Sequence, residues 1–172
     1  MIICHTGVFG AFQGSGHQMH IGRWVSRGSF LTVPDVTWIF SPETARIDRD
    51  LVHRWLSEQA YWALGRTRAA QDTAIDASRN YGVYDERGAQ VAYARVVTDG
   101  TTFAWLCDVF VDPGVRGHGA GKLLVAGVLE DLDGLGLPRT FLGTADAHGL
   151  YEQYGFAEAD PARFMLRVPA VP

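Results

Sequence analysis

The sequence predicts an α/β (α+β) protein with a mixed central sheet and helices on its faces, and three observations predict it. Between residues 80 and 111, three short runs rich in β-branched and aromatic residues follow one another, joined by "DERG" and "DG". Before and after that meander, apolar residues recur at helical rather than alternating spacing. At residues 111–124, "VDPGVRGHGAGKLL", a valine-rich run passes into a leucine-rich run through four glycines. Glycine disfavours helix by about 1 kcal/mol relative to alanine, so such a cluster at a helix mouth has to serve something other than helix stability.

Each element carries its own start or stop signal. "VTWIF" (36–40) reads as a strand ended by "SPE". Residues 48–64 place Leu51, Trp55, Leu56, Ala60 and Trp62 or Ala63 on one helix face, with Asp48 at the head and Gly65 at the tail. A second helix over 67–78 is capped by Thr67. The strands "NYGVYD", "AQVAYARVVT" and "TTFAWLCDVFV" form the meander. A helix from about Gly119 to Leu132 follows the glycine turn, then "RTFLGTA" as a strand, "AHGLYEQYG" as a short helix and "RFMLRV" as a closing strand. The predicted order is β-α-α-β-β-β-α-β-α-β, with no internal repeat.

Residues 1–34 stand apart from this pattern. They hold no acidic residue, carry glycines at 7, 10, 14, 16, 22 and 28, and show no lasting periodicity. They read as a glycine-rich N-terminal extension of unknown role before a domain spanning 35–172: a tail, an arm for a partner, or sequence upstream of a natural start at Met19 or later. His5, His17 and His20 lack the regular ligand spacing of a metal site, and no metal is expected.

Composition bounds the function. The chain has 172 residues, long enough for one proper core. Its net charge of −4 gives it no electrostatic footprint for nucleic acid. No apolar stretch reaches the roughly 18 residues that span a bilayer, and the N-terminus lacks the pattern of a secretion signal, so a cytoplasmic protein without membrane partners is expected. Cys4 and Cys107 sit too far apart to suggest a disulfide framework, and Cys107, inside an apolar run, reads as a small buried hydrophobe.

The glycine turn fails both familiar phosphate-loop patterns. A Walker loop needs Ser or Thr after Gly-Lys, where Leu123 stands, and an earlier glycine where Arg116 stands. A dinucleotide fingerprint counted from Gly117 finds Lys122 in place of its last glycine. The physics survives both failures: unpaired N–H groups and the positive end of a helix dipole make an anion site, and Arg116 and Lys122, the chain's only lysine, add charge at its edge.

The order Arg116-Gly117-His118-Gly119-Ala120-Gly121 resembles the Arg/Gln-x-x-Gly-x-Gly/Ala loop with which the GNAT superfamily of N-acetyltransferases grips the pyrophosphate of acetyl-coenzyme A. "ADAHGLYEQYGF", some thirty residues on, is similar to that family's Asn-rich then Phe-Tyr-Glu-x-x-Gly-Phe segment, with Asp146 where asparagine is common. The resemblance covers about residues 35–168 and implies a mostly antiparallel sheet with helices on both faces. It also implies acetyl-CoA as cosubstrate, held by residues 116–122 (His118 and Lys122 among them), by backbone groups of Val109, Phe110 and Val111, and by Asp146. Acetyl transfer to a primary amine, of a small molecule or a protein, is the implied reaction.

Tyr151 occupies the position of the family's tyrosine acid, which would serve the leaving thiolate. Asp108 and His148 are the two candidate bases. Asp146 is expected to N-cap the short helix. By resemblance the acceptor is held around "AYWALGRTRAA" (60–70), where Trp55, Tyr61 and Trp62 either line a pocket or pack in the core, and where Arg66 and Arg68 either meet an acidic acceptor or sit on a solvated turn. A non-catalytic acyl-CoA sensor or scaffold is the alternative reading, and a homodimer is left open.

Overall fold

The computed structural model describes residues 30–33 and 36–168. Readings that fall on residues 1–29, including those of Cys4, His5, His17, Met19 and His20, lie outside the described residues. Six strands form one sheet in the order β1 (Phe30–Val33), β2 (Val36–Ser41), β3 (Arg79–Tyr84), β4 (Gln90–Thr98), β5 (Ala104–Val111) and β6 (Thr140–Leu142). Neighbours are antiparallel through β5, and β6 runs parallel to β5. Because β1 pairs with β2 from Phe30↔Ile39 to Val33↔Val36, the sheet begins at Phe30, five residues before the domain start expected at residue 35.

The helices α1 (Arg49–Gln59) and α2 (Arg68–Asp76) pack on one face and α3 (Ala120–Asp133) on the other; the short α4 (His148–Glu152) follows β6. Strand alternation sorts the two cores. Ala92, Ala94 and Val96 of β4 face α3 through Leu124, Val125 and Val128, whereas Tyr93 joins Val52, Trp55, Leu56 and Ile75 on the α1–α2 side. The helix starts match the sequence: the Asp48 carboxylate accepts from the Leu51 N–H and the Thr67 hydroxyl from the Ala70 N–H.

Two expectations are corrected. The first helix ends at Gln59, not at 64, because Ala60 turns extended and the chain folds back until the Gly65 N–H reaches the Ser57 carbonyl at 2.9 Å. Ala60 and Ala63 still fill the core, but Tyr61, Trp62 and Leu64 turn outward. The closing strand over "RFMLRV" does not form: a single 3₁₀ turn at Pro161–Arg163 is followed by irregular chain in which Met165 and Leu166 are fully exposed. The strand pairing it would need is on β6, whose three residues bond only to β5.

Candidate active site

The site is built around an irregularity in β5. Opposite β4, Arg95 pairs with Cys107 and Tyr93 with Phe110, so β5 carries one extra residue there, a β-bulge. Asp108 takes the strain at φ +50°, the only non-glycine positive φ among the described residues. The bulge reverses the strand's parity. Before it, Ala104 and Leu106 face α3; after it, Val109 and Val111 do, which turns Asp108 and Phe110 to the α1–α2 side. On its other edge β5 pairs with β6 only as far as Leu106↔Leu142. From Cys107 to Val111 that edge is unpaired, and the strands part around a cavity of about 290 Å³.

The glycine turn lies at the far end of β5. After a 3₁₀ turn at Pro113–Val115, Gly117 (φ +81°) and Gly119 (φ +90°) adopt the left-handed conformation that glycine alone enters without cost. Gly119 is the N-cap of α3 and offers no side chain to its first turn. The N–H groups of Gly117, Gly119, Ala120, Gly121 and Lys122 accordingly have no partner among the described residues. The turn is pinned from outside: the Trp38 indole N–H donates to the His118 carbonyl at 2.7 Å, and Arg116 Nε donates to the Val111 carbonyl at 3.0 Å. At Gly121 a Cβ would lie 3.3 Å from Val111, so the helix start sits hard against the strand end. Free amides at a helix N-terminus beside Arg116 suit a pyrophosphate, and an open strand edge suits an amide-bearing arm. The residues present therefore fit acetyl-CoA.

Asp108 is almost fully enclosed, its side chain 3% exposed, and both its oxygens are engaged. Arg66 donates to it at 2.6 and 3.2 Å, Arg95 Nε at 2.6 Å and the Trp62 indole at 3.2 Å. Burial opposes its ionisation, but the hydrogen bonds from Arg66 and Arg95 outweigh that and hold its carboxyl below the usual carboxylate range. A carboxylate so occupied is a poor proton acceptor, and the expectation that Asp108 acts as base does not fit its surroundings. Arg68 stays on the surface, pairing with Asp50 and Asp72.

Tyr151 separates two cavities. It lines the one beside β5 and also a second, of about 450 Å³, beyond β6. It is 7% exposed, and burial, with lesser contributions from Asp146 and Tyr61, pushes its phenol up to about 12. Phe156 meets its ring edge-on at 5.9 Å. His148 is exposed and lines the second cavity, so the two candidate bases stand on different sides of Tyr151. Asp146 lines the first cavity and does not cap α4: the N-cap is Ala147, whose own N–H donates to the Thr144 hydroxyl at 3.1 Å.

Of the three aromatics considered for the acceptor side, Trp55 is core, stacked on Phe110 at 5.3 Å, while Tyr61 and Trp62 line the first cavity. The Ala145 N–H donates to the Tyr61 hydroxyl at 3.3 Å, tying the 60–66 turn to the loop before α4. Cys107 is half-buried against the same cavity, and burial pushes its thiol up. Arg95 and Thr144 were not anticipated. For Arg95 the signal was present: one arginine inside "VAYARVV" and one aspartate inside "LCDVFV", on neighbouring strands, are charges that burial obliges to pair.

Comparison with known proteins agrees with this geometry. A protein of Xanthomonas campestris pv. campestris assigned to the GNAT family of acetyltransferases, solved as a crystal structure, superposes with a TM-score of 0.72 and 42% identity over 77% of this chain and 93% of its own. A Gibberella zeae protein assigned as an acetyltransferase is 29% identical over 135 residues, 66% of this chain and 75% of that one. Rv2747 of Mycobacterium tuberculosis, solved in complex with CoA and NLQ, shares the fold at a TM-score of 0.57 and 22% identity, over 70% of this chain and 72% of its own. The sequence model of the Acetyltransferase (GNAT) family matches residues 49–156, more than half of the chain. The chain belongs to the GNAT family of acetyltransferases and is an acyltransferase.

Proposed function

We propose that the protein is an N-acetyltransferase that moves an acetyl group from acetyl-CoA to a primary amine by direct attack. The observation that carries this reading is the unpaired edge of β5 from Cys107 to Val111, which opens into a cavity that Tyr151 borders and leads back to the free amides of Gly117 and of residues 119–122. Acetyl-CoA, when bound, supplies the acetyl group as an activated thioester. The residues of the chain bind, orient and handle protons. Gly117, Gly119, Ala120, Gly121 and Lys122 hold the diphosphate through backbone N–H groups, with Arg116, His118 and the Lys122 ammonium around them. Val109, Phe110 and Val111 pair with the pantetheine arm as an added strand would.

In the transfer, the amine nitrogen forms the new bond to the carbonyl carbon as the carbon–sulfur bond breaks. Tyr151 is the acid that faces the departing sulfur. A phenol near 12 against a thiol of about 8.5 makes complete proton transfer uphill, so Tyr151 acts chiefly by donating a hydrogen bond as charge develops. The proton shed by the amine goes to water. Of the two candidate bases, Asp108 is a positioning anion for Arg66, Arg95 and Trp62, and His148, which lines the second cavity and not the first, takes the proton only by way of that water.

Thiol release from acetyl-CoA across a panel of primary amines tests the reading. Amine-dependent release above the hydrolysis rate supports it. Acetyl-CoA binding without amine-dependent release would make the chain a non-catalytic acyl-CoA sensor. A cytoplasmic location and a homodimer belong to the same proposal, the latter checked by mass in solution.

A further inference from the structure

We infer that the amine acceptor also carries a carboxylate, and that Arg95 is the residue that recognises it. This rests on the reading of the first cavity as the acceptor site. Arg95 and Asp108 line it, and Arg66 and Arg95 share the single carboxylate of Asp108, which leaves one positive charge in excess. Arg66 is turned away, since its Nη1 and Nη2 spend their donors on Asp108 and on the Gln71 side chain. Arg95 is not. It lines the cavity with its side chain 15% exposed, gives Nε to Asp108 and Nη1 to the Ser78 hydroxyl at 3.3 Å, and leaves Nη2 without a partner among the described residues.

Arg95 lines an aromatic-walled cavity with Nη2 free of any described partner, and an anion entering there would complete the hydrogen bonding of a guanidinium that is largely withdrawn from water. A carboxylate is the anion that matches its planar fork. Arg95 stands on β4 and Asp146 follows β6, on opposite edges of β5, so the cavity carries the opposite sign across that strand. Asp146 lines it next to Tyr151, close enough for its charge to act on the phenol, and is exposed. An acceptor with a carboxylate at Arg95 would therefore present its ammonium towards Asp146 and Tyr151, beside the open edge of β5. Between the two poles the walls are Tyr61, Trp62, Trp105 and Leu106, and at about 290 Å³ the space is at the small end of ligand cavities. The substrate class is thus a small aminocarboxylic acid with an apolar or aromatic body. A polyamine, an aminoglycoside or a protein lysine does not match it.

The experiment compares aminocarboxylic acids whose amino and carboxylate groups lie at opposite ends with their decarboxylated amines, for instance 4-(aminomethyl)benzoate with benzylamine and 6-aminohexanoate with pentylamine, by thiol release from acetyl-CoA. In the unmodified protein the carboxylated member is expected to have at least a tenfold higher kcat/KM, expressed mainly in KM. Arg95→Lys keeps the charge against Asp108 and loses the fork; its carboxylate preference, read as the ratio of kcat/KM between the two members of each pair, should fall to about threefold or less. Equal use of both members of each pair, or preference for the decarboxylated one, overturns the inference and leaves N-acetyl transfer standing. Absence of amine-dependent release with every amine of the panel, in protein that binds acetyl-CoA, overturns the acceptor reading and this inference with it. If Arg95→Lys fails to fold, the paired-substrate comparison on the unmodified protein decides alone.

Discussion

The glycine turn before α3 and the wall formed by residues 60–66 both serve β5, and they are built from different materials. The turn is a backbone device. Its positive-φ glycines, its free amides and its packing against Val111 are properties of a dozen consecutive residues. The wall is held by side chains from distant parts of the chain: Trp62 and Arg66 reach Asp108 across 46 and 42 positions, Arg95 reaches it from the adjacent strand, and Tyr61 reaches Ala145 across 84. A backbone device tolerates many side chains but almost no change at its glycines. A side-chain device fails at its most connected member.

The largest expected effect follows from that last point. Asp108→Ala strips the shared carboxylate from two largely buried guanidiniums, and leaving such charges unpaired costs about 3–5 kcal/mol, measurable by urea denaturation. A loss below about 1 kcal/mol would show that water compensates both arginines, and the contrast between the two devices would fail. The pH dependence has a definite sign. The folded pKa of Asp108 lies below the ordinary carboxylate value, so its contribution is full above about pH 4 and is lost as pH falls below that, through the folded value. Asp108→Asn should flatten this acid limb of the stability curve.

Next in size is Gly119→Val. A branched side chain at φ +90° is strained by roughly 1–3 kcal/mol, and the turn escapes by leaving the conformation that points its amides outward. Acetyl-CoA affinity by calorimetry should drop by about 10- to 100-fold with the melting temperature nearly unchanged. Undiminished affinity would mean that the turn does not hold the diphosphate.

The same contrast explains what could be read in advance. The turn, α3 and the segment around Tyr151 were legible because their chemistry is local: glycine spacing, a strand before, an apolar helix after. The meander was legible from its turns. The acceptor wall was not, because nothing near Trp62 announces Asp108, and because aromatics at helical spacing do not reveal that the helix stops at Gln59 and leaves Tyr61 and Trp62 outside it. Asp108 itself was visible as a charge in an apolar strand, but its role depends on the bulge that turns it toward Arg66, and a one-residue change of register has no local signature. The start of α4 was not legible for the same reason: its N-cap is Ala147, with no side-chain cap, and Thr144 rather than Asp146 accepts the Ala147 N–H.

Between the two devices stands Tyr151, and its replacement by phenylalanine sharpens the comparison because it should disturb neither. Turnover is expected to fall by at least about tenfold, or 1.4 kcal/mol of barrier, with acetyl-CoA affinity and stability nearly unchanged. With its phenol at about 12, the parent enzyme should lose no activity through Tyr151 up to pH 10. Equal turnover for the two proteins would remove Tyr151 from the chemistry and leave it as a ring packed against Phe156.

The smallest expected effect lies at the chain's far end, where the pattern promised a strand and the fold supplies none. "RFMLRV" is apolar and β-branched enough to pair, but β6 offers it a partner only three residues long, and Met165 is 101% exposed. Exposed substitutions away from any network cost within about 0.5 kcal/mol, so Met165→Ser should leave thermal unfolding unchanged. Phe164 meets Phe141 edge-on at 5.6 Å, and Phe164→Ser should cost about 0.5–1.5 kcal/mol. Were Met165→Ser to cost as much as Phe164→Ser, the segment would have to be docked on β6 in solution, and the sheet would extend one strand further than β6.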